Sequence, residues 1–432
     1  MTVDQASLQH HIREGTRRQQ AASLPLAGLQ AVLPLRYLRQ AAHFTTPAGD
    51  DIMARKAIEG GTAPMSRILA RFGLTAGDLA QRLQIDREEV ERLLAAPRRA
   101  PLVMLDGEDA QALREDVIAR GLANTAGLVV SADWSGGGPD TLRFFRPPGF
   151  ALGTTVNDLY TVLWNVAAAS PTGQFALDGI VFPKVDHPDE VELLYDLLDQ
   201  AEAALGLAHG RIRVALLIES GWAAARLPEI ALRAASRACA LIFGLADYSA
   251  DLGLPAISTD HPLANWARAE IVAVAGGLGV PAIDGMTLDY PVSDASLGAA
   301  ANRERFLARM RLVHDDAIAA RDLGMTGKWV GHPAQLFAVL LAFDAAFSAS
   351  ALEVEAAKLA AYSAATGEGH GATVIDGVMS DRATDRHARG LLRRAVANGR
   401  FAPERALGLG VIDGKELADL GKKPFVEREV NP

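Results

Sequence analysis

Eight short apolar runs, separated by longer stretches with helical spacing, constrain this 432-residue chain more than any other feature. They are His43-Phe-Thr-Thr46, Leu102-Val-Met-Leu-Asp106, Leu142-Arg-Phe-Phe-Arg146 and Gly179-Ile-Val-Phe-Pro-Lys184 in the first half. Val214-Ala-Leu-Leu-Ile-Glu219, Ala240-Leu-Ile-Phe-Gly244, Pro281-Ala-Ile-Asp284 and Lys328-Trp-Val-Gly-His332 complete the series. Continuous apolar runs of this length suit strands buried on both faces, as in a parallel sheet. The stretches between them carry apolar residues three and four apart, as in Pro188-Asp-Glu-Val-Glu-Leu-Leu-Tyr-Asp-Leu-Leu198, the pattern of an amphipathic helix. Eight strand–helix units over roughly 290 residues predict an α/β protein built as a (β/α)8 TIM barrel. No glycine fingerprint for a dinucleotide follows any run, which argues against an open Rossmann sheet.

The charge balance narrows the partners. With 43 Lys and Arg against 52 Asp and Glu, the formal net charge is −9. A dedicated nucleic-acid binder needs a basic surface to neutralise phosphates, so that class is excluded. The single cysteine, Cys239, sits in an apolar run and reads as core packing. The N-terminus lacks an apolar stretch of signal-peptide length, and the apolar run at Leu336 stops at Asp344 after eight residues. The expectation is a cytoplasmic protein without a membrane partner.

Three segments lie outside the barrel rhythm: an N-terminal helical extension over 1–42, a helical insert at 63–99 that interrupts a barrel spanning 43–345, and a C-terminal helical lid over 346–432. Within the insert, residues 74–94 have the outline of a helix-turn-helix, with Thr75 and Asp86 as N-caps and Leu79, Leu83, Val90, Leu93 and Leu94 as its core. Four acids against two arginines over 86–94 give that second helix a net charge of −2. A helix facing phosphates should not be negative, so the insert is expected to serve packing or subunit contacts. Residues 129–143, with the turn-rich string Asp133-Trp-Ser-Gly-Gly-Gly-Pro-Asp140, read as a hairpin leading into the Arg146 strand.

In a barrel of this kind the chemistry sits at the C-terminal ends of the strands. There the sequence places Asp106, Arg146, Lys184 and Glu219, with Asp247 just beyond the sixth run. Glu219 and Asp247, with Ser220, Gly221 and Gly244 around them, form a hard oxygen site suited to Mg2+ or Mn2+. The competing reading pairs each carboxylate with Lys184 or Arg146. Arg146, followed by Pro147-Pro148-Gly149, is placed to grip a carboxylate or steady an enolate. Glu108 and Asp109, in Asp106-Gly-Glu-Asp109, either accept water ligands of a cation, hold Lys184, or form a solvated turn. Lys184 is also a candidate Schiff-base nucleophile.

In order along the chain, Thr46-Pro-Ala-Gly-Asp-Asp51, Leu105-Asp-Gly-Glu-Asp-Ala110, Arg146, Gly179-Ile-Val-Phe-Pro-Lys184, Ile218-Glu-Ser-Gly221, Gly244-Leu-Ala-Asp247, Ile283-Asp-Gly285 and Gly327-Lys-Trp-Val-Gly-His-Pro-Ala-Gln335 resemble segments of one superfamily. This is the HpcH/HpaI aldolase and citrate lyase beta-subunit superfamily, which includes malyl-CoA lyases. The resemblance implies a divalent-metal-dependent carbon–carbon lyase or aldolase acting on a 2-oxo or 2-hydroxy acid unit, free or as an acyl-CoA thioester. It implies Glu219 and Asp247 as the ligands of Mg2+ or Mn2+, Arg146 and Lys184 as substrate-binding residues, and Glu108 and Asp109 as support for the metal's water shell. Asp381, in Gly377-Val-Met-Ser-Asp381, matches an aspartate that enters a neighbouring subunit's site for proton transfer, which implies a homo-oligomer, a trimer or hexamer. Departures from the pattern include Ala246 before the metal aspartate and Gly331 in place of an aliphatic residue. Basic residues expected just before the first strand to hold coenzyme A are shifted to Arg36 and Arg39. Two alternatives are a CoA-independent pyruvate-type aldolase and a non-catalytic regulatory or assembly protein that works through its insert.

Overall fold

A computed structural model describes residues 5–27, 33–112, 114–131, 141–171, 174–375 and 377–420. The eight expected runs form eight strands: β1 Ala42–Pro47, β2 Leu102–Asp106, β3 Leu142–Arg146, β4 Gly179–Phe182, β5 Arg213–Ile218, β6 Ala238–Phe243, β7 Ala282–Asp284 and β8 Gly327–Val330. They pair in parallel and in sequence order, and β8 closes on β1. Register sets the mouth of the barrel: Pro47 lies opposite Asp106, and Asp106 opposite Arg146.

The barrel interior is packed by alternate residues of the strands, among them Met104, Phe144, Val181, Leu217, Ile242 and Trp329. Cys239 belongs to this interior and is fully buried. The other strand faces meet the surrounding helices in a continuous core. Such double-sided burial is why the runs are apolar throughout rather than alternating.

The insert folds as three helices, Met65–Arg71, Ala76–Leu83 and Arg87–Ala95. Thr75 caps the second in a reciprocal box with Asp78, and Asp86 caps the third through the Glu88 amide. Leu79, Leu83, Val90 and Leu93 are buried and Leu94 half-buried, in the same core as the barrel helices. Three of the insert's arginines are ion-paired: Arg87 with Glu91, Arg92 with Glu89, and Arg82 with Glu304 of the helix Ala299–Leu323. Arg303 of that helix returns a 2.8 Å bond to Asp78.

One sequence expectation is corrected. Val129 does not begin a strand; it ends the helix Glu115–Val129 and is fully buried together with Leu128. The β-branched pair Val129-Val130 suggested a strand, but Leu122, Ala126 and Val129 follow helical spacing, and burial of that face decides the conformation. The turn-rich string at 133–140 lies outside the described residues.

Beyond β8, the helix Pro333–Asp344 is buried from 334 to 343. Among the described residues it opens the one helical stretch, Pro333–Gly367, long and apolar enough to cross a membrane. Asp344 interrupts that stretch with ion pairs to Arg98, at 2.6 Å, and to Arg400. A core helix accounts for the composition. The chain continues through the helix Ala349–Gly367, a hairpin of Thr373–Ile375 and Val378–Ser380, and the helix Arg382–Ala397. These pack a separate small core around Leu352, Leu359, Leu392 and Phe401.

Candidate active site

Asp106 and Arg146 end adjacent strands and face each other through two bonds, Nε to Oδ1 at 2.7 Å and Nη2 to Oδ2 at 2.6 Å. Asp106 is 1% and Arg146 4% exposed. The same Asp106 carboxylate accepts the Glu108 amide at 2.9 Å and the Ala110 amide at 3.2 Å, which fixes the turn after β2. One buried carboxylate therefore sets both the turn and the guanidinium. The remaining nitrogen, Nη1, stands 3.4 Å from Glu108 and 3.4 Å from Asp109. These neighbours hold Arg146 charged against the opposing effect of burial.

Lys184, beyond the end of β4, has a φ of +50°, rare for a residue other than glycine. That conformation aims its backbone amide at Glu219 Oε1, 2.8 Å away. Its ammonium reaches Glu108 at 3.3 Å, Asp109 at 3.2 Å and Asp247 at 3.6 Å. Glu219 follows β5 and is buried, and Asp247 stands in the first turn of the helix Leu245–Asp251 with its carboxylate partly open to solvent. A Cβ on Gly244 would lie 2.4 Å from the Glu219 Cβ and 2.8 Å from its Oε2. Only glycine at this position leaves room for the Glu219 side chain.

The electrostatics are unbalanced toward negative charge. Five carboxylates (Asp106, Glu108, Asp109, Glu219 and Asp247) face two cations, Arg146 and Lys184. Burial and the nearby Asp247 push the Glu219 carboxyl up to about 8, against the opposing pull of Lys184 and Arg146. Burial also raises Glu108. Both Glu108 oxygens are buried, and their partners are the longer ion pairs to Lys184 at 3.3 Å and Arg146 at 3.4 Å, which leaves room for further hydrogen bonds from water. Rich in carboxylates beyond the two cations, oxygen-only and partly solvent-facing, this donor set fits a hard divalent cation that retains waters.

Six of the residues singled out in the sequence thus converge: Arg146, Glu108, Asp109, Lys184, Glu219 and Asp247. Of the two carboxylates, Asp247 pairs with the Lys184 ammonium at 3.6 Å, and Glu219 accepts the Lys184 backbone amide at 2.8 Å. A Schiff-base role for Lys184 does not fit. The neighbouring carboxylates raise its basicity and hold it protonated, whereas an amine nucleophile needs a lowered pKa. Asp381 lies apart, as the N-cap of the helix Arg382–Ala397, where its Oδ1 accepts the Ala383 and Thr384 amides at 2.9 and 3.1 Å. These bonds hold its carboxyl below the usual carboxylate range. Arg36 and Arg39, the basic residues nearest β1, are engaged with Asp178 and the Ala397 carbonyl, each at 2.6 Å.

A cavity of about 280 Å³ opens over these groups and is lined also by Thr45, Met286, Leu288, Tyr290 and Trp329. Sequence reasoning missed these five. Alternation within Lys328-Trp-Val could have directed Trp329 inward, but no pattern marked the segment after β7. Asp199, Glu202 and His209 form a second acidic group. Glu202 accepts the Gly210 and Ile212 amides just ahead of β5, which puts this group at the opposite rim of the barrel. Arg237 occupies it, bonding Glu202 at 2.7 and 2.8 Å and also Asp199.

A family model described as a domain of unknown function (DUF6986) matches residues 156–423. An L-malyl-CoA/beta-methylmalyl-CoA lyase of Rhodobacter capsulatus is 32% identical over 263 residues, covering 56% of this chain and 76% of that protein. The protein of the same name from Cereibacter sphaeroides is 29% identical over 320 residues, 69% of this chain and 89% of its own. Among solved structures, a citrate lyase from Burkholderia xenovorans superimposes with a TM-score of 0.57 at 24% identity, over 88% of this chain and 96% of that one. That likeness concerns the fold. The chain belongs to the DUF6986 family and to the HpcH/HpaI aldolase and citrate lyase beta-subunit-like superfamily.

Proposed function

We propose that the protein is a divalent-metal-dependent carbon–carbon lyase that breaks, or in reverse forms, the bond between a 2-oxo-acid unit and an acyl-CoA partner. The observation that carries this reading is the convergence of Glu219, Asp247 and Arg146 at one end of the barrel, with more carboxylates than cations around the cavity. The malyl-CoA lyase relatives support the thioester partner. Mg2+ held by the Glu219 and Asp247 carboxylates would act as a Lewis acid on the oxygens of the acid unit.

The chain's own groups do the rest. Asp106 fixes Arg146 so that its remaining nitrogen, Nη1, presents a preorganised charge where an acid oxygen becomes more negative. Lys184 balances Glu108, Asp109 and Asp247 as a permanent cation and binds substrate as a charge rather than as a nucleophile. Glu108 and Asp109 would accept hydrogen bonds from waters of the metal's shell. Asp381 of a neighbouring copy in a trimer or hexamer would move the proton at the carbon beside the thioester. Its cap bonds keep it ionised, the state that takes up a proton in the bond-forming direction.

The test is an assay for oxo-acid release from malyl-CoA-type thioesters, run with Mg2+ and again with excess EDTA. Release that EDTA abolishes, and that Glu219→Ala and Asp247→Ala lose together with metal binding, is the expected result. Unaltered metal binding in both variants, or turnover that survives EDTA, would overturn the reading.

A further inference from the structure

The cavity has two chemically different halves. By chemistry, Asp106, Asp109, Arg146, Glu219 and Asp247 make up the charged half of the lining and Phe243, Leu245, Met286, Leu288, Tyr290 and Trp329 the apolar half; the two meet where the Arg146 guanidinium lies 5.5 Å from the Trp329 ring. The segment 285–290, which supplies three of the apolar residues, is tied down along its length. Lys328, itself paired with Asp284 and Asp316, donates to the Gly285 carbonyl at 2.7 Å. The Thr287 hydroxyl donates to Asp316 at 2.5 Å, Gln335 donates to the Thr287 carbonyl at 2.7 Å, and Arg309 donates to the Tyr290 carbonyl at 2.7 Å.

The phenol of Tyr290 occupies space that exists only because residue 331 is glycine. A Cβ there would lie 2.2 Å from the phenol oxygen, 3.2 Å from Cζ and 3.3 Å from the Met286 sulfur. Gln335 accepts the Gly331 amide at 3.0 Å while holding Thr287, so one side chain couples the glycine to the wall it admits. The phenol hydroxyl donates only weakly, to the Met286 thioether at 3.1 Å. The ring, rather than the hydroxyl, is what the site uses.

We propose that Tyr290, seated in the space left by Gly331, is a specificity-determining residue that sets the length of the side chain the site accepts on the 2-oxo acid. The inference rests on the reading of the carboxylate half as the acid-binding half. An acid whose oxygens occupy that half directs its substituent against a fixed apolar wall. A bare aldehyde acid would leave the wall uncovered, and a longer chain would meet the ring. At about 280 Å³ the cavity lies at the small end of ligand sites, a size suited to a small acid. The substrate class is therefore a 2-oxo acid with a short alkyl side chain.

Calorimetric binding in the presence of Mg2+, with glyoxylate, pyruvate, 2-oxobutyrate and 2-oxopentanoate, tests this without turnover. In the wild type, affinity should rise from glyoxylate and fall again at the length that meets the ring, by about ten- to two-hundredfold per misfit methylene. Tyr290→Ala should move the fall to a longer acid, while Tyr290→Phe should keep the wild-type order. Gly331→Ala retains the ring but forces it to move, so it too should change the order, which guards against a folding defect in Tyr290→Ala. Binding with one unchanged length order in all four proteins overturns this inference alone. No binding of any oxo acid to the wild type overturns it together with the lyase reading.

Discussion

Cation binding at Glu219 should be coupled to release of a proton. The carboxyl is held up to about 8 by burial and by Asp247, so at pH 7 only about one molecule in eleven carries it ionised. A cation that binds the carboxylate must displace the proton from the rest, about 0.9 proton per site at pH 7. The corresponding penalty is about 1.4 kcal/mol, so the apparent affinity at pH 7 lies roughly tenfold below its value well above pH 8. At pH 6 the deficit should be about a hundredfold. Stability follows with the opposite sign. The folded pKa is raised from the ordinary 4.5 to about 8, so the stabilisation from neutral Glu219 is complete below 4.5 and lost as pH rises through 8. Without cation the melting temperature should therefore decline across that window, and saturating Mg2+ should remove the decline. Titration calorimetry in two buffers of different ionisation enthalpy counts the protons directly. Glu219→Gln keeps the shape and has no proton to lose, so its weaker binding should be independent of pH from 6 to 9. The reasoning fails if wild-type binding releases no proton at pH 7, or if Glu219→Gln retains the same slope.

Three further expectations address the other parts of the site. Asp106→Asn takes the closest, bidentate counter-charge from a buried guanidinium and leaves it the 3.4 Å contacts to Glu108 and Asp109, which should cost about 3 kcal/mol in urea unfolding; an unchanged midpoint would show that Asp106 does not anchor Arg146. Borohydride treatment with any accepted oxo acid should give no mass adduct at Lys184, because its carboxylate neighbours keep the amine protonated; a trapped adduct would reverse that assignment. Thr75→Ala removes the cap of the insert's second helix and should cost about 1 kcal/mol while leaving kcat/KM unchanged; a comparable loss of activity would mean that the insert reaches the site.

The strands and the charged half of the site were legible because both obey local rules. A strand buried on both faces must be apolar, and in a closed parallel barrel the residue that ends it faces the mouth, so Asp106, Arg146 and Glu219 could be placed from their positions alone. The Val129-Val130 pair shows the limit: β-branched residues suggested a strand, and helical burial of Leu128 and Val129 overrode them. The apolar half obeys no local rule. Met286, Leu288 and Tyr290 occupy a segment with neither strand nor helical period, held in place by Lys328, Asp316, Gln335 and Arg309 from later elements. Gly331 gives no sign in the sequence of the ring it admits, 41 positions earlier. The charged half is built from residues at or just beyond strand ends, which the barrel itself brings to one mouth. The wall is set by long-range bonds to a segment with no regular period, and under the proposal above selection among acids resides there.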